Sequence, residues 1–552
     1  MNNTAAPSLW NLPANPVFQR YAASCLRPVR FTIYIVAGQL LTGFLWALTV
    51  LGSLHSQNTS KVQFNFTTPE FKALLDSHGE LAFLNGWFVV LIVQSMLVMF
   101  SGTLSVATGV AREANEGMME GMDLTPLSPG HKAIGQLLGL PLPANLLAFS
   151  LIPWAILSAF FGGLSFVMMG KVYLVFATSA LFHHSIGLVA GTLIRRKILA
   201  GTLSQICVLM LHLLLPLCGS MGVGMISHLG MEHAISTIVA REIPSFNSPS
   251  EKLGSSLASS TVEFFGWEFG VAGYHWLITA SSLAILLWIL LRRWHDRESL
   301  LLGKIGTTLA AAWILIFTCG ELIPRLTHLV SPRHTNELVE LKLTVISSDS
   351  GDLLNASAIC LGFGMVISIL NLIFISLLIP SIPRRLNARK EPWWGDGREA
   401  LPWVIGISLM SISVWLLVIH SAREIDVSIS NPFDGATFLY LVFSIIIPSI
   451  TWYSLVLWQG WKKALGIGFV IGVLPLMVVI IGLLVSASPS GWPTWLSAMS
   501  GLAIPGYAFS DRIISKLGSD SNASSALILS ASLHTVAAIY MFYSARRMLR
   551  SR

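Results

Sequence analysis

The chain has 552 residues, of which 54% are hydrophobic and only 11% are charged, with a formal net charge of +7. Soluble domains carry about 25% charged residues, and 34 Lys and Arg with 27 Asp and Glu are too few to cover the surface of a soluble protein of this length. The composition therefore excludes a soluble enzyme, a disordered chain and a nucleic-acid-binding module.

The first predicted element is a short amphipathic helix over residues 15–28, ahead of the first long apolar run. Arg20 and Ser24 share one face at helical spacing, while Val17 and Tyr21 share another. A helix with one polar and one apolar face lies along the membrane surface. The alternative is an ordinary basic tail, and the pattern alone does not separate the two.

Apolar runs long enough to cross a bilayer follow along the rest of the chain. A membrane-spanning helix needs about 20 mostly apolar residues to cross roughly 30 Å of hydrocarbon. The third run is interrupted by Pro141, Pro143 and Pro153. The sequence predicts an all-α multi-pass membrane protein of about twelve transmembrane helices, at residues 31–54, 81–110, 136–160, 172–194, 198–227, 270–291, 301–320, 353–382, 401–420, 436–459, 464–487 and 524–544.

The basic residues predict that both termini are cytoplasmic. With that orientation the inner segments hold 23 of the 34 Lys and Arg and 9 of the 27 Asp and Glu. The outer segments then hold the remaining 11 basic and 18 acidic residues. Basic residues collect in cytoplasmic loops of membrane proteins, so the distribution supports an even number of spans. We expect a multi-pass protein of the cytoplasmic (inner) membrane of a bacterium.

Pairs of glycines four residues apart recur in or beside the predicted spans. They are Gly135 and Gly139, Gly187 and Gly191, and Gly468 and Gly472. Small residues at this spacing let two helices approach closely in a membrane. These pairs therefore predict helix packing and carry no information about a substrate.

The cytoplasmic link 110–136, between the second and third spans, is the most informative segment. Glu113, Glu116 and Glu120 recur at i, i+3 and i+7, which places three carboxylates on one face of a helix. An acidic cytoplasmic segment runs against the usual excess of basic residues. We therefore expect these carboxylates to meet a cationic partner; the alternative is a solvated acidic loop.

Methionines and prolines complete this link. Met118 and Met119 supply an adaptable apolar surface. Pro126 and Pro129 end the helix, because the residue before a proline is displaced from the α region. The sequence thus predicts a single cytoplasmic helix over residues 111–128.

The motifs of this link follow one another in the order Ala111-Arg112-Glu113, Glu116-Gly117, Glu120, Leu124-Thr125-Pro126-Leu127-Ser128-Pro129 and Ile134-Gly135-Gln136. This order resembles the inner loop of ATP-binding-cassette (ABC) transporter permeases of the type-two exporter class. The segment that starts at Asn15 is similar to the surface helix of that family. The sequence departs from the family pattern at Met118-Met119, which replace Thr-Leu, at Gly121, and at Gln136, which replaces Lys.

The resemblance, which covers residues 15–300, implies that the link is a coupling helix that docks on a cytoplasmic P-loop ATPase subunit. The implied contact residues are Arg112, Glu113, Glu116, Gly117, Met118, Met119, Glu120, Leu124, Thr125, Pro126, Leu127 and Ser128. The chain has no Gly-x-x-x-x-Gly-Lys-Ser/Thr motif of its own. ATP and magnesium are therefore expected on the partner subunit, and no cofactor is expected in this chain.

The second half of the chain, residues 301–552, repeats the loop lengths of the first half, residues 1–300. Both halves begin inside, so the repeat would be parallel. The inner link 383–400 is basic and aromatic, whereas link 110–136 is acidic. Two interpretations stay open: a degenerate second permease unit, which makes a pseudo-dimer, or an appended six-span domain, which requires a homodimer to complete the pathway.

Three classes of function fit a chain of this kind. The favoured function is the membrane-spanning permease subunit of an ABC-type exporter, without enzymatic activity of its own. The second is a twelve-span secondary carrier, although the centres of the predicted spans lack the Asp, Glu, Lys or Arg that ion-coupled carriers usually place there. The third is a membrane enzyme or an assembly scaffold, for which no zincin or serine-hydrolase motif is present.

Histidines in the fourth and fifth predicted spans are the remaining candidates for chemistry. His183, His184 and His212 have no convergent partners that the sequence reveals. We therefore predict that they are structural or line a pathway, and that they do not form a metal site or a proton relay.

Overall fold

The computed structural model describes residues 15–25, 28–57, 69–124, 127–214, 224–242, 261–295, 299–328, 351–379, 400–425 and 435–459, with a few isolated positions between 532 and 547. Almost all of these residues are helical. Within these described ranges, seven helices are long and apolar enough to cross a membrane: Phe31–Ser56, His78–Asn115, Leu142–Phe161, Phe166–Leu193, Val271–His295, Gly303–Pro324 and Leu401–Ser421. The protein is therefore a helical multi-pass membrane protein.

Large apolar side chains on the outer surface suit a lipid environment. Leu40 is 71% exposed, Phe160 is 70% exposed and Ile198 is 83% exposed, each on a different apolar helix. Soluble monomers rarely leave extended apolar surface in contact with water. In a bilayer the same side chains contact hydrocarbon and need no further cover.

The described residues fall into two compact units. The first contains the described residues up to Leu214, together with those in 228–242 and 271–295; the second contains those in 224–227, in 261–270 and beyond 296. The first unit begins with helices α1 (Pro16–Cys25), α2 (Pro28–Gln57), α3 (Pro69–Ser95), α4 (Thr103–Asn115), α5 (Met118–Asp123), α6 (Pro129–Gly139), α7 (Leu142–Ser150) and α8 (Ile152–Phe161).

The remaining helices of the first unit are α9 (Phe166–Leu193), α10 (Lys197–Leu209), α12 (Met231–Glu242) and α13 (Val271–His295). Two π-helical turns interrupt the regular pattern: π1 (Met96–Gly102) joins α3 to α4, and π2 (Met210–Leu214) follows α10. The second predicted span thus becomes one helical rod from His78 to Asn115.

Helix α9 packs against α4 through the second glycine pair. A Cβ atom at Gly187 would lie 2.6 Å from the carbonyl oxygen of Thr103, and one at Gly191 would lie 2.7 Å from that of Ala107. The two backbones can approach this closely only because neither glycine carries a side chain. The predicted packing role of this pair is confirmed, whereas Gly468 and Gly472 lie outside the described residues.

The third predicted span is broken into pieces by its prolines. The structure replaces residues 136–160 by α6, α7 and α8, with breaks beside Pro141 and at Leu151. Proline has no N–H and its ring clashes with the preceding turn, so each break falls where a helix cannot continue regularly. Helices α7 and α8 together form the apolar element Leu142–Phe161.

The second unit comprises α11 (Gly224–Ser227), strands β1 (Thr261–Phe264) and β2 (Trp267–Gly270), and helices α14 (Gly303–His328), α15 (Gly351–Leu377), α16 (Leu401–Ile425) and α17 (Gly435–Gln459). Apolar residues of these helices form its core, around Phe363, Trp415 and Val418. Polar contacts cross this core, because the Asn371 amide donates to Ser449 Oγ at 2.7 Å.

The β-hairpin is the one departure from an all-α architecture among the described residues. Phe265 and Gly266 form its turn with φ of 49° and 81°, and two consecutive positive φ angles are typical of a type I′ hairpin turn. The Phe265 N–H donates to the Gly320 carbonyl on α14 at 2.8 Å. The sequence predicted only an outer loop over 228–269, because a four-residue strand is too short to show a clear alternation.

Ten of the twelve predicted spans contain a described helix. The fifth is described over Lys197–Leu214, as α10 and π2, and over α11, and its residues between these pieces lie outside the described ones. The predicted span 464–487 lies outside the described residues, as does most of 524–544. The inner link 383–400 also lies outside them, apart from its last residue.

Candidate functional site

The segment after the second span, which the sequence predicts to be cytoplasmic, is two helices and not one. Helix α4 ends at Asn115, Gly117 adopts a left-handed conformation with φ of 73°, and α5 begins at Met118. Glycine adopts a positive φ angle with little steric strain because it has no Cβ atom, so it commonly ends a helix in this way. The prediction of one continuous helix over 111–128 is therefore wrong, because the glycine that was assigned to the helix terminates it.

This break separates the carboxylates that the sequence placed on one face. Glu113 lies on α4 and is only 4% exposed, whereas Glu116 lies at the break and is exposed. Backbone atoms of Glu120 belong to α5, but its side chain lies outside the described part of the structure. The i, i+3, i+7 face exists only if the helix is continuous.

Glu113 is held inside the first unit by three side chains. Arg20 pairs with its Oε1 atom, and the Tyr21 hydroxyl donates to the same oxygen. The amide of Gln136 donates to the other oxygen, Oε2, at 2.8 Å. A buried carboxylate is stable only when its oxygens are satisfied in this way. Glu113 thus meets a cationic partner, as predicted for this segment, but that partner is in its own chain.

The amphipathic helix that supplies Arg20 and Tyr21 is present as α1. Asn15 caps it, since its Oδ1 accepts from the Val17 N–H at 3.0 Å. The Asn15 amide also donates to the His131 carbonyl at 2.9 Å, which fixes the start of α1 beside α6. The prediction of a helix is confirmed within residues 16–25, and the alternative of an irregular basic tail is wrong there.

Helix α1 packs on α6 through the first glycine pair. A Cβ atom at Gly135 would lie 2.7 Å from Cβ of Val17, and one at Gly139 would lie 2.7 Å from Cδ2 of Tyr21. Both glycines therefore make room for the apolar face of α1, which is buried. The predicted close contact of this pair is confirmed.

Methionines hold α5 against the same cluster. Met119 and Met122 are buried with Val17, Tyr21 and Val110. These side chains attach α5 to the first unit, and the flexible thioether chain fills irregular gaps of this kind. Met119 was predicted to contact a partner, and the structure instead places it in the interior of the unit.

The exposed side of the segment carries one ion pair and two apolar side chains. Arg112 Nε donates to Glu116 Oε1 at 2.7 Å, and both side chains are exposed. Met118 is 37% exposed and Leu124 is 89% exposed. A charged pair bordered by exposed apolar groups can bind a protein surface that is itself both charged and apolar.

The remaining predicted contact residues have structural roles or lie outside the described residues. Ser128 Oγ accepts from the His131 N–H at 3.4 Å and so caps α6, while Leu127 packs on the apolar cluster of this end of the unit. Thr125 and Pro126 lie outside the described residues. Four of the twelve predicted contact residues have exposed side chains and lie together around the break between α4 and α5, and we term them the docking surface: Arg112, Glu116, Met118 and Leu124.

Sequence reasoning missed the residues that hold this surface in place. Asn15 and Tyr21 were assigned only to the surface helix, and Gln136 was noted only as a departure from the family's Lys. In the structure Gln136 is fully buried and donates to Glu113. The amide of Gln136 was the one signal in the sequence for this contact, because an amide can donate a hydrogen bond to a buried carboxylate without adding a charge.

No protein-family model, no curated protein and no solved structure matches the chain. Within the described ranges, no group of three or more His, Cys, Asp or Glu side chains is arranged to hold a metal ion. The chemistry of the site therefore has to be argued from its charges, its exposed apolar groups and its anchorage.

Proposed function

We propose that the chain is the membrane-spanning permease subunit of an ABC-type exporter. It moves a substrate across the membrane with energy from ATP and magnesium bound on a separate cytoplasmic ATPase subunit. The observation that carries the proposal is the docking surface: exposed charged and apolar groups at the end of α4 and along α5, a segment that is firmly attached to the unit behind it. The resemblance of the motif order in 111–136 supports the same assignment.

The connection between this surface and the membrane suits energy coupling. Arg112 lies on α4, which is joined to α3 through the π-helical turn π1. The three form one continuous helical element, His78–Asn115, which we call the rod. A displacement of the docking surface by a partner therefore acts on a transmembrane helix directly. Glu113 joins α4 to α1 and α6, and Met119 and Met122 attach α5 to the same end of the unit. The segment is therefore expected to move together with the unit and not independently of it.

We further propose twelve spans with both termini in the cytoplasm of a bacterial inner membrane. The pathway lies either between the two halves of one chain or between two copies of it. The distribution of basic residues supports the orientation, and it places the docking surface where an ATPase can reach it.

The orientation predicts which positions a membrane-impermeant thiol reagent reaches in intact cells. We expect Ser56→Cys, at the outer end of α2, and Glu268→Cys, in β2, to react above the background of the parent chain. Asn115→Cys, at the end of α4, should react only after the membrane is permeabilised. All three positions are exposed, so burial does not confuse the comparison. Labelling of Asn115→Cys in intact cells would overturn the orientation.

Purification of the tagged full-length chain from its own cells in mild detergent tests the proposed function. We expect a P-loop ATPase to copurify in a fixed ratio and to hydrolyse ATP. Recovery of the chain alone, in a preparation that transports in response to an ion gradient, would refute the proposal and establish a secondary carrier.

A further inference from the structure

Two histidine rings meet inside the first unit, away from the docking surface. His183 on α9 and His212 on π2 stack with centroids 5.0 Å apart and an angle of 8° between the ring planes. His183 is fully buried. The sequence showed no partners for these histidines, but the fold brings them together from segments almost 30 residues apart.

The hydrogen bonds define where each ring carries its hydrogen. His183 Nδ1 lies 2.6 Å from the Ser179 carbonyl oxygen, and His212 Nδ1 contacts the Glu232 carboxylate on α12. A carbonyl and a carboxylate only accept hydrogen bonds, so both Nδ1 atoms are donors. In the neutral ring the Nε2 atom then has a free lone pair.

Both of these Nε2 atoms are buried and have no hydrogen-bond partner among the described residues. An unsatisfied buried acceptor costs free energy, so such groups call for an explanation in a native structure. The free lone pair is the position at which a proton binds, and a bound proton converts the ring into a cation that needs a neighbouring anion. The carboxylate of Glu232 already lies beside His212 and neutralises that charge.

The exposed fraction of the side chain decreases from Glu232 through His212 to His183. A proton that enters from solvent would meet them in this order. The side chain of Glu232 is 53% exposed, that of His212 is 12% exposed, and His183 is 0% exposed. Beyond His183, Ser179 Oγ lies 3.1 Å from His275 Nε2 on α13. The other titratable side chains around the cluster are those of His184 on α9, His228, His233 on α12 and His275.

Both π-helical turns of the first unit meet at this cluster. Turn π2 contains His212, and π1 supplies Phe100, whose ring lies 6.4 Å from that of His212, and the Val98 carbonyl, which contacts His184 Nε2 at 3.0 Å. π-helical turns inside α-helices are frequent at functional sites. Their convergence here is independent of the histidine chemistry.

We infer that His212 and Glu232, with the buried ring of His183 stacked on His212, form a proton-binding site in the first unit. Hydronium delivers a proton to Nε2 of His212 and leaves as water, so that one O–H bond breaks and one N–H bond forms. The resulting imidazolium of His212 pairs with the Glu232 carboxylate. Ionisable groups inside a membrane commonly mark such pathways. The site goes beyond the proposed function, since it needs neither cargo nor an ATPase partner.

Nitrogen-15 NMR of the full-length chain, with labelled histidine, in lipid nanodiscs tests this site. At pH 6 we expect an imidazolium signal that is lost in His212→Gln and in Glu232→Gln but retained in His55→Gln. Glu232→Gln is nearly isosteric and changes a half-exposed side chain, so it preserves the fold, and unchanged signals of the other histidines verify this. His55 is exposed and lies outside the cluster, which makes it the matched control.

Persistence of every imidazolium signal in both cluster variants would overturn the inference and leave a purely structural histidine stack. Loss of the signal in His55→Gln alone would overturn it equally, because the observed imidazolium would then belong to the surface. Neither result bears on ATPase copurification, so failure of this site and failure of the proposed exporter function are distinguishable.

Discussion

Replacing Glu113 by leucine is expected to destabilise the end of the first unit at which α1, α4 and α6 meet, and to release helix α1. The change leaves the Tyr21 hydroxyl and the Gln136 amide without their acceptor, and each unsatisfied buried group costs about 1–3 kcal/mol. Arg20 adds little to this cost because its side chain is 42% exposed and water can solvate it. We therefore expect the free energy of unfolding to fall by about 3 kcal/mol.

Thermal unfolding in detergent and the rate of trypsin cleavage after Arg20 measure this effect. The matched control is Glu116→Leu, which removes an exposed carboxylate from a surface ion pair, a change worth about 0–1 kcal/mol. Equal melting temperatures for the two variants would show that the buried contacts of Glu113 do not hold α1, and the anchorage on which the docking surface depends would have to be abandoned.

Reversal of charge on the docking surface is expected to weaken ATPase binding strongly while the chain remains folded. The double variant Glu116→Lys and Glu120→Lys reverses the carboxylate of the docking surface and that of a neighbouring position on α5. It therefore opposes the cationic partner predicted for this segment. Losing a hydrogen-bonded charge pair at an interface costs about 2–5 kcal/mol, and every 1.4 kcal/mol is about tenfold in affinity. We expect at least about a tenfold loss of copurifying ATPase, with transport reduced in parallel.

Leu124→Asp is a separate probe of the apolar part of the same surface. This leucine is 89% exposed, so its replacement disturbs no packing within the chain, yet it should lower ATPase recovery. The matched control is Glu268→Lys, which reverses an exposed carboxylate on the hairpin, opposite Glu263 and remote from the docking surface in sequence. Unchanged ATPase recovery in both the charge-reversal variant and Leu124→Asp would contradict a docking role and support the alternative interpretation, a solvated acidic loop.

The buried position of Glu113 changes how the acidic segment is understood. Three equivalent carboxylates would form a diffuse charged patch, whereas the structure buries Glu113 and leaves Glu116 exposed. Glu113 fixes α1, α4 and α6 together, and Glu116 lies on the surface beside Arg112. Under the proposed function, this anchorage gives the exposed pair a fixed position at the end of the helical element His78–Asn115.

The sequence by itself determined the class of protein and the position of most described helices. Runs of about 20 apolar residues are sufficient for this, because a bilayer imposes the length and the hydrophobicity of each span. Prolines predicted where the third span is interrupted, and the glycine pairs at Gly135 and Gly187 predicted close helix contacts. These features depend on local steric properties that each residue carries into any fold.

Only the tertiary structure decided which side chains meet. Glu113 contacts Tyr21 across 92 positions of the chain and Gln136 across 23, and His183 meets His212 from a different helix. Periodicity shows which residues share a face of a helix, but the neighbours of that face depend on how the helices pack. The end of α4 at Gly117 was equally inaccessible from the pattern, since glycine adopts helical and left-handed conformations with similar ease and its surroundings select between them.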